Sequence, residues 1–189
     1  MRIKCFFILS FIGLFFAVLP LQAQKVSIST NLCHWATLGT INVEGSISVA
    51  QHLSVHVGGR FNPWTMTAAK SGIPYYLHQK TAYAGIRYWP WYIHSGWWLG
   101  GKLQYMDYAE TGIWRPAIET GRAIGLGLAG GYSLMLNKHW NLDFGIGGWG
   151  GYMPSHSLYG SERNPYIREE GPKVFVWPDE MIIAFSYVF

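Results

Sequence analysis

The sequence predicts an all-β fold, an eight-stranded antiparallel up-and-down transmembrane β-barrel, and three observations support it. Beyond residue 24, apolar residues alternate with polar or small residues at a period of two, which is typical of strands with two unlike faces. Half of the chain is hydrophobic and 17% is aromatic, while only 13% is charged, against about 25% in an average soluble protein. The connections between the alternating runs are short and long in turn, as in outer-membrane barrels.

The first segment has the pattern of a secretory signal peptide. Arg2 and Lys4 precede an apolar run over 5–18, and Ala23 offers a small residue for cleavage. The apolar run is too short to span a bilayer comfortably as a helix. We therefore expect a signal peptide over 1–23, export of the protein, and a barrel domain over 24–189.

Cysteine and charge usage exclude several classes of site. Cleavage after Ala23 would remove Cys5 and leave Cys33 alone, so neither an intramolecular disulfide nor a cysteine metal site is expected. No histidine spacing suggests a metal, and no basic run suggests nucleic acid. We expect no metal, no cofactor and no nucleic-acid partner.

The alternating runs define eight strands of about ten residues each, close to the 9–11 that cross a bilayer at a tilt. The clearest pair forms a hairpin around residues 50–52. In chain order the predicted strands are 25–35, 40–49, 53–62, 80–89, 97–107, 122–135, 140–152 and 179–189.

The connections predict the orientation of the barrel. Those over 50–52, 90–96 and 136–139 are short, whereas those over 63–79, 108–121 and 153–178 are long; 36–39 is short where a long one is expected. Outer-membrane barrels place their short turns in the periplasm and their long loops outside the cell. We expect an outer-membrane location with periplasmic termini and short turns and extracellular long loops.

The polar face of the strands decides between a membrane barrel and a soluble lipocalin-like barrel. A soluble barrel would carry many Lys and Glu on that face, but here it is mostly Gly, Ser, Ala and Asn with isolated charges, which suits a narrow lumen. We expect the charges to pair there as a plug, because an unpaired buried charge is costly. The predicted lumen network comprises Glu44, His56, Arg60, Arg87, Lys102, Gln104 and Asp143.

Aromatic residues cluster near both ends of the predicted strands and suggest two interfacial girdles. The expected girdle residues are Trp64, Trp89, Trp97, Tyr105, Trp140, Tyr152 and Trp177. The last run sets Phe185, Tyr187 and Phe189 in phase, which resembles the C-terminal signal read by the outer-membrane barrel assembly machinery. That machinery is therefore an expected partner, together with outer-membrane lipid and lipopolysaccharide.

Several short segments spread over the chain resemble a known family. The most specific are Asn62-Pro63-Trp64 and Arg87-Tyr88-Trp89, with Lys138-His139-Trp140-Asn141-Leu142 downstream. The chain resembles a Bacteroidetes family of small outer-membrane β-barrels classified as a domain of unknown function, DUF3575. The resemblance implies cell-envelope work near fimbria-type surface genes and supplies no catalytic residues.

An envelope enzyme is the alternative, because some eight-stranded outer-membrane barrels are lipid A deacylases or acyltransferases that use serine, histidine and a carboxylate. The weak candidates here are His156, Ser157 and Glu162 in the last long loop. Aromatic and charged residues in the long loops instead suit recognition of a surface or fimbrial partner. We expect a non-enzymatic envelope scaffold or surface-interaction protein.

Overall fold

A computed structural model describes residues 26–37, 39–67, 74–111, 118–159 and 167–189. It contains ten strands and one short helix. In chain order these are β1 Val26–Asn31, α1 Leu32–Ala36, β2 Ile41–Ala50, β3 Leu53–Asn62, β4 Thr65–Thr67, β5 Pro74–Tyr88, β6 Gly96–Thr111, β7 Ile118–Met135, β8 Trp140–Tyr159, β9 Ile167–Glu170 and β10 Lys173–Val188.

Eight of the strands form one closed antiparallel sheet. Neighbours pair in the order β10, β1, β2, β3, β5, β6, β7, β8, and β10 also pairs with β8, which closes the ring. The short strands β4 and β9 pair with β5 and β8 and extend the wall beyond the ring. The predicted fold class, an eight-stranded up-and-down β-barrel, is confirmed.

Several strands run further than the alternating pattern predicted. β7 has 18 residues and β8 has 20, and their ladder continues from the turn to Ile118 and Tyr159. The sequence pattern fades there because toward the strand ends both faces can be polar, and the strand continues through its backbone hydrogen bonds alone.

The first predicted strand, 25–35, is wrong beyond Asn31, because α1 begins at Leu32. The side chain of Asn31 accepts a hydrogen bond from Cys33 N at 3.1 Å, which caps the helix and ends the strand. Lys25 lies outside the described residues.

Because β1 ends early, the first part of β10, toward the long-loop end, has no strand partner on the side where β1 lies. The β1–β10 ladder stops at Asn31 and Ala184, whereas β10 begins at Lys173. Asn31 bridges the edge: its Nδ2 donates to Met181 O at 3.0 Å, and its Oδ1 accepts from Ile183 N at 3.2 Å. Helix α1 lies beside β10 and β2 along this part of the wall.

Glycines on the lumen face of β7 and β8 are required because the facing backbone leaves no space for a side chain. A Cβ on Gly131 would overlap the carbonyl oxygen of Phe144, and one on Gly151 would overlap that of Ile124. These are rigid backbone atoms, so a side chain could not be accommodated by a rotamer change. By contrast, Gly45 on β2 has open space at its Cβ position.

We expect Gly131→Ala to lower the free energy of unfolding by about 3 kcal/mol or more, because the overlap forces the β7–β8 ladder apart. Gly45→Ala is the matched control and should change it by no more than about 0.5 kcal/mol. Urea unfolding followed by tryptophan fluorescence measures both. Equal stability of the two variants would contradict the close approach of β7 and β8.

Candidate functional site

The charged and polar side chains of the strands meet inside the barrel in two groups. All seven residues predicted for the lumen network lie there and are buried or half-buried. Toward the long-loop end are Arg60, Lys102 and Gln104, and toward the short-turn end are Glu44, His56, Arg87 and Asp143.

The group toward the long-loop end is an ion cluster of Arg60, Lys102, Asp179 and Glu180. Arg60 Nη1 lies 3.1 Å from Asp179 Oδ1, and Nη2 lies 2.5 Å from Glu180 Oε2. Lys102 Nζ lies 2.5 Å from Asp179 Oδ2 and 2.6 Å from Glu180 Oε1. The four side chains are only 3–11% exposed. Two cations and two anions therefore neutralise one another almost out of contact with water.

Sequence reasoning missed both carboxylates of the ion cluster. A β-bulge explains their placement: Pro178 pairs with Gly148 and Glu180 with Gly147, so Asp179 is an extra residue in β10. The bulge turns two consecutive carboxylates into the lumen, where strict alternation would have sent one of them outward. The available signal was Pro178, because proline within a strand is confined to edges and bulges.

The group toward the short-turn end is held by another ion pair and by hydrogen bonds. Arg87 Nη2 lies 2.8 Å from Glu44 Oε1, and Tyr83 donates its hydroxyl to Glu44 Oε2 at 3.1 Å. The Arg87 guanidinium also lies over the Trp98 ring, 4.6 Å from its centroid. The carboxylate of Asp143 accepts hydrogen bonds from the hydroxyls of Ser133 and Ser186. Polar partners thus fill the lumen below the ion cluster.

The short-turn end of the lumen is sealed by aromatic rings. Trp89 is 2% exposed, donates its Nε1 to Ser54 Oγ at 3.0 Å, and packs against Trp98 and His94. Its assignment to the outer girdle is therefore wrong: Tyr88 faces outward, so the next side chain faces the lumen. The other predicted girdle residues Trp64, Trp97, Tyr105, Trp140 and Tyr152 are exposed. Trp177 is also exposed, but it pairs with the buried Trp149 and lines a cavity at the long-loop end, so it does not lie in the outer girdle.

His94 lies in the turn that closes this end of the barrel. Burial, followed by the positive charge of Arg87, lowers the pKa of His94 to about 4. Its backbone has a φ of 60°, a left-handed conformation that is uncommon outside glycine and asparagine. Asn141 Nδ2 donates to the carbonyl of His94 at 2.5 Å and fixes the turn to β8.

Above the ion cluster is a cavity of about 660 Å³, which we call the mouth cavity. The ion cluster supplies its floor, and α1 forms part of one side, with His34 Nε2 3.4 Å from Glu180 Oε2. Trp177 and the half-buried Cys33 also line it. Half of its remaining lining is aromatic or methionine side chains, namely Met106, Tyr108, Trp149, Met153 and Met181; the other half is Ala36, Thr37, Gln79, Glu119 and Pro178.

The three weak catalytic candidates are not assembled by the described residues. His156 and Ser157 are consecutive in β8, so their side chains point to opposite faces of the sheet; His156 is buried. Glu162 lies outside the described residues. Within the described ranges, no three His, Cys, Asp or Glu side chains are grouped to hold a metal ion.

In the part of the chain that the structure describes, no helix is both long and apolar enough to span a membrane.

A family model described as "Protein of unknown function (DUF3575)" matches residues 7–189. A search of curated proteins finds no match to the chain.

We expect Lys102→Met to lower the free energy of unfolding by about 3 kcal/mol, because it leaves two buried carboxylates with one cation. Adding Glu180→Gln restores the balance with Arg60 and should recover at least about 1 kcal/mol of that loss. Urea unfolding of the wild type, both single variants and the double variant gives the coupling energy. Strictly additive losses would show that the four charges do not act as one cluster.

We expect the stability of the protein to fall as the pH drops from about 6.5 toward 4, in part because of His94. The folded state holds His94 neutral, whereas the unfolded state binds a proton near pH 6.5, so acid favours unfolding. The contribution is on the order of 2 kcal/mol between pH 7 and pH 4.5. His94→Asn tolerates the left-handed backbone and cannot titrate, so its unfolding free energy should depend less on pH by that amount. An unchanged pH dependence would contradict the burial of neutral His94.

Proposed function

The chain belongs to the family described as "Protein of unknown function (DUF3575)", and on that premise we propose that it is a non-enzymatic outer-membrane protein. In this proposal the barrel is an envelope scaffold or surface-interaction protein whose lumen is closed by its own side chains. The single observation that carries the proposal is the apolar outer face of the barrel.

The outward side chains in the middle of the strands are apolar and highly exposed. Leu128 is 71% exposed and Val176 is 84% exposed, and their neighbours Leu126 and Ile146 are similar. A water-soluble monomer rarely exposes a continuous apolar patch of more than a few hundred Å². In a bilayer the same face contacts lipid chains, so no free energy is lost by exposing apolar side chains to water.

The apolar belt has a height that suits an outer membrane. On β6 the outward residues run from Trp97 to Tyr105, roughly 26 Å along the strand at about 3.3 Å per residue. At a strand tilt of about 40° this projects to roughly 20 Å, near the ~25 Å apolar band of membrane barrels.

Both edges of the belt carry residue types that favour a membrane interface. At the long-loop end Lys80, Asp107 and Arg122 are consecutive partners across three strands, with Arg122 Nε 3.9 Å from Asp107 Oδ2. At the short-turn end the rings of Trp97 and Tyr132 lie 5.3 Å apart. Charges and aromatic rings at the edges of the belt suit a membrane–water interface, and the lengths of the connections support extracellular long loops and periplasmic short turns.

The filled lumen supports a scaffold over a channel. The ion cluster, the Arg87–Glu44 pair and the enclosed Trp89 occupy successive levels inside the barrel. An eight-stranded barrel has an interior only wide enough for side chains. No continuous water path is therefore expected.

The proposed partners follow from the two outer surfaces. Lipid and lipopolysaccharide would contact the belt, and the barrel assembly machinery would read the last strand, where Phe185 and Phe189 are exposed on the outer face. The long loops would contact a surface or fimbrial protein, since their sequence mixes aromatic and charged residues.

We expect Leu128→Arg to destabilise the barrel in lipid vesicles by roughly 2–4 kcal/mol, because it places a charge at the middle of the bilayer. Leu134→Arg is the matched control near the short-turn edge and should cost no more than about 1 kcal/mol. Urea unfolding in vesicles, followed by the mobility of unheated protein in a denaturing gel, measures both.

The same pair of variants distinguishes a membrane barrel from a water-soluble barrel. In water an arginine in place of an exposed leucine costs little at either position. Equal, small effects of the two variants, together with recovery of the wild type in the soluble periplasmic fraction, would refute the membrane proposal.

A further inference from the structure

We propose that the mouth cavity binds a small organic cation, an amine with an apolar body. This goes beyond the proposed function, because it assigns a ligand site inside the barrel and does not depend on where the barrel resides. The inference rests on three features of the cavity: its size, its uncompensated negative charge and its aromatic and methionine walls.

The size and closure of the cavity fit a small molecule. Its volume of about 660 Å³ lies within the roughly 300–1,000 Å³ typical of ligand pockets. The ion cluster forms a floor that a ligand cannot pass, because its side chains are buried and bonded to one another. A ligand would therefore rest on this floor.

When the charged side chains that line the cavity are paired, one carboxylate has no cation to balance it. Arg60 and Lys102 are neutralised by Asp179 and Glu180, and Arg60 already contacts both carboxylates. Glu119 on β7 also lines the cavity, and its Oε1 accepts a hydrogen bond from the Tyr108 hydroxyl at 3.2 Å. Among the described residues no cation pairs with Glu119. The described lining of the cavity thus carries a net negative charge.

The walls suit the body of an organic cation rather than a metal ion or a sugar. Trp149, Tyr108 and Trp177 offer ring faces or edges, and Met106 and Met153 offer polarisable thioethers. An ammonium group is attracted both to a carboxylate and to aromatic faces, while its alkyl or aryl body displaces water from the methionines. An anion would meet the uncompensated carboxylate of Glu119 and be repelled.

The test uses 2-phenylethylamine as the probe, with the uncharged 2-phenylethanol and the anion 3-phenylpropionate as matched ligands. The mature protein is purified in a non-ionic detergent, because cationic headgroups would compete, and binding is measured by isothermal titration calorimetry at neutral pH. We expect the amine to bind at least tenfold more tightly than the alcohol, and the anion not to bind. Equal affinity for amine and alcohol would overturn the proposal.

Two acidic residues at the same end of the barrel provide the matched variants. Glu119→Gln removes the charge from the cavity and should weaken amine binding at least tenfold, since a charge-assisted hydrogen bond is lost. Asp107→Asn removes one negative charge from the outer face and should leave the affinity unchanged. Equal weakening by both variants would show a bulk charge effect and no site.

A second measurement places the amine in the cavity without relying on a variant that must fold. Cys33 lines the mouth cavity and is half-buried, so its reaction with a small maleimide should slow severalfold when the amine is bound. Unchanged labelling at saturating amine would overturn the assignment of the site.

A capped lysine tripeptide tests whether the cation is a free amine or a lysine side chain of a peptide. We expect the tripeptide to bind more weakly than 2-phenylethylamine, and tighter binding would contradict a free amine as the ligand.

Discussion

The ion cluster of Arg60, Lys102, Asp179 and Glu180 is the interaction on which the arrangement of the lumen depends. It joins β3, β6 and β10, three strands that are not neighbours in the ring, so it fixes their relative positions across the barrel. Removing such charges from water is costly, and the cost is repaid only because each group meets two partners of opposite charge. The cluster therefore specifies one arrangement of the strands and excludes others that would leave a charge unpaired.

The bulge in β10 is what makes the cluster balanced. Without the extra residue, only one of Asp179 and Glu180 would face the lumen, and Arg60 and Lys102 would share a single carboxylate. The bulge lies where β10 has lost β1 as a partner and is held by Asn31 at Met181 and Ile183 instead. An edge without a continuous ladder tolerates an irregular strand, because fewer backbone hydrogen bonds have to be kept in register. The shortness of β1 and the charge balance of the lumen are thus connected.

The fold and half of the candidate site follow from alternation, which predicts both the strands and the direction of each side chain. Arg60, Arg87 and Lys102 could be placed in the lumen from sequence because they share the parity of glycine and serine neighbours. Their counter-ions on β10 could not, because a bulge shifts the parity and leaves only a proline as its sign. Helix α1 was missed for a similar reason: its start is set by the Asn31 cap, a local hydrogen bond that interrupts an otherwise extended pattern. For Trp89 the alternation was correct and the assignment from residue type was wrong. Its position after the outward-facing Tyr88 places it in the lumen, but tryptophan near a turn suggested an interfacial girdle.

The two ends of the lumen are built from different chemistry, and that difference decides where a ligand can enter. At the short-turn end the buried ring of Trp89 packs against Trp98 and His94. At the long-loop end the cluster neutralises itself, so the space above it is bounded by a floor that neither attracts nor repels ions strongly. In that setting a single additional carboxylate has a large effect on selectivity, since no nearby lysine or arginine of the described lining remains to offset it. Because the ion cluster is neutral as a whole, Glu119 sets the net charge of the described lining of the mouth cavity.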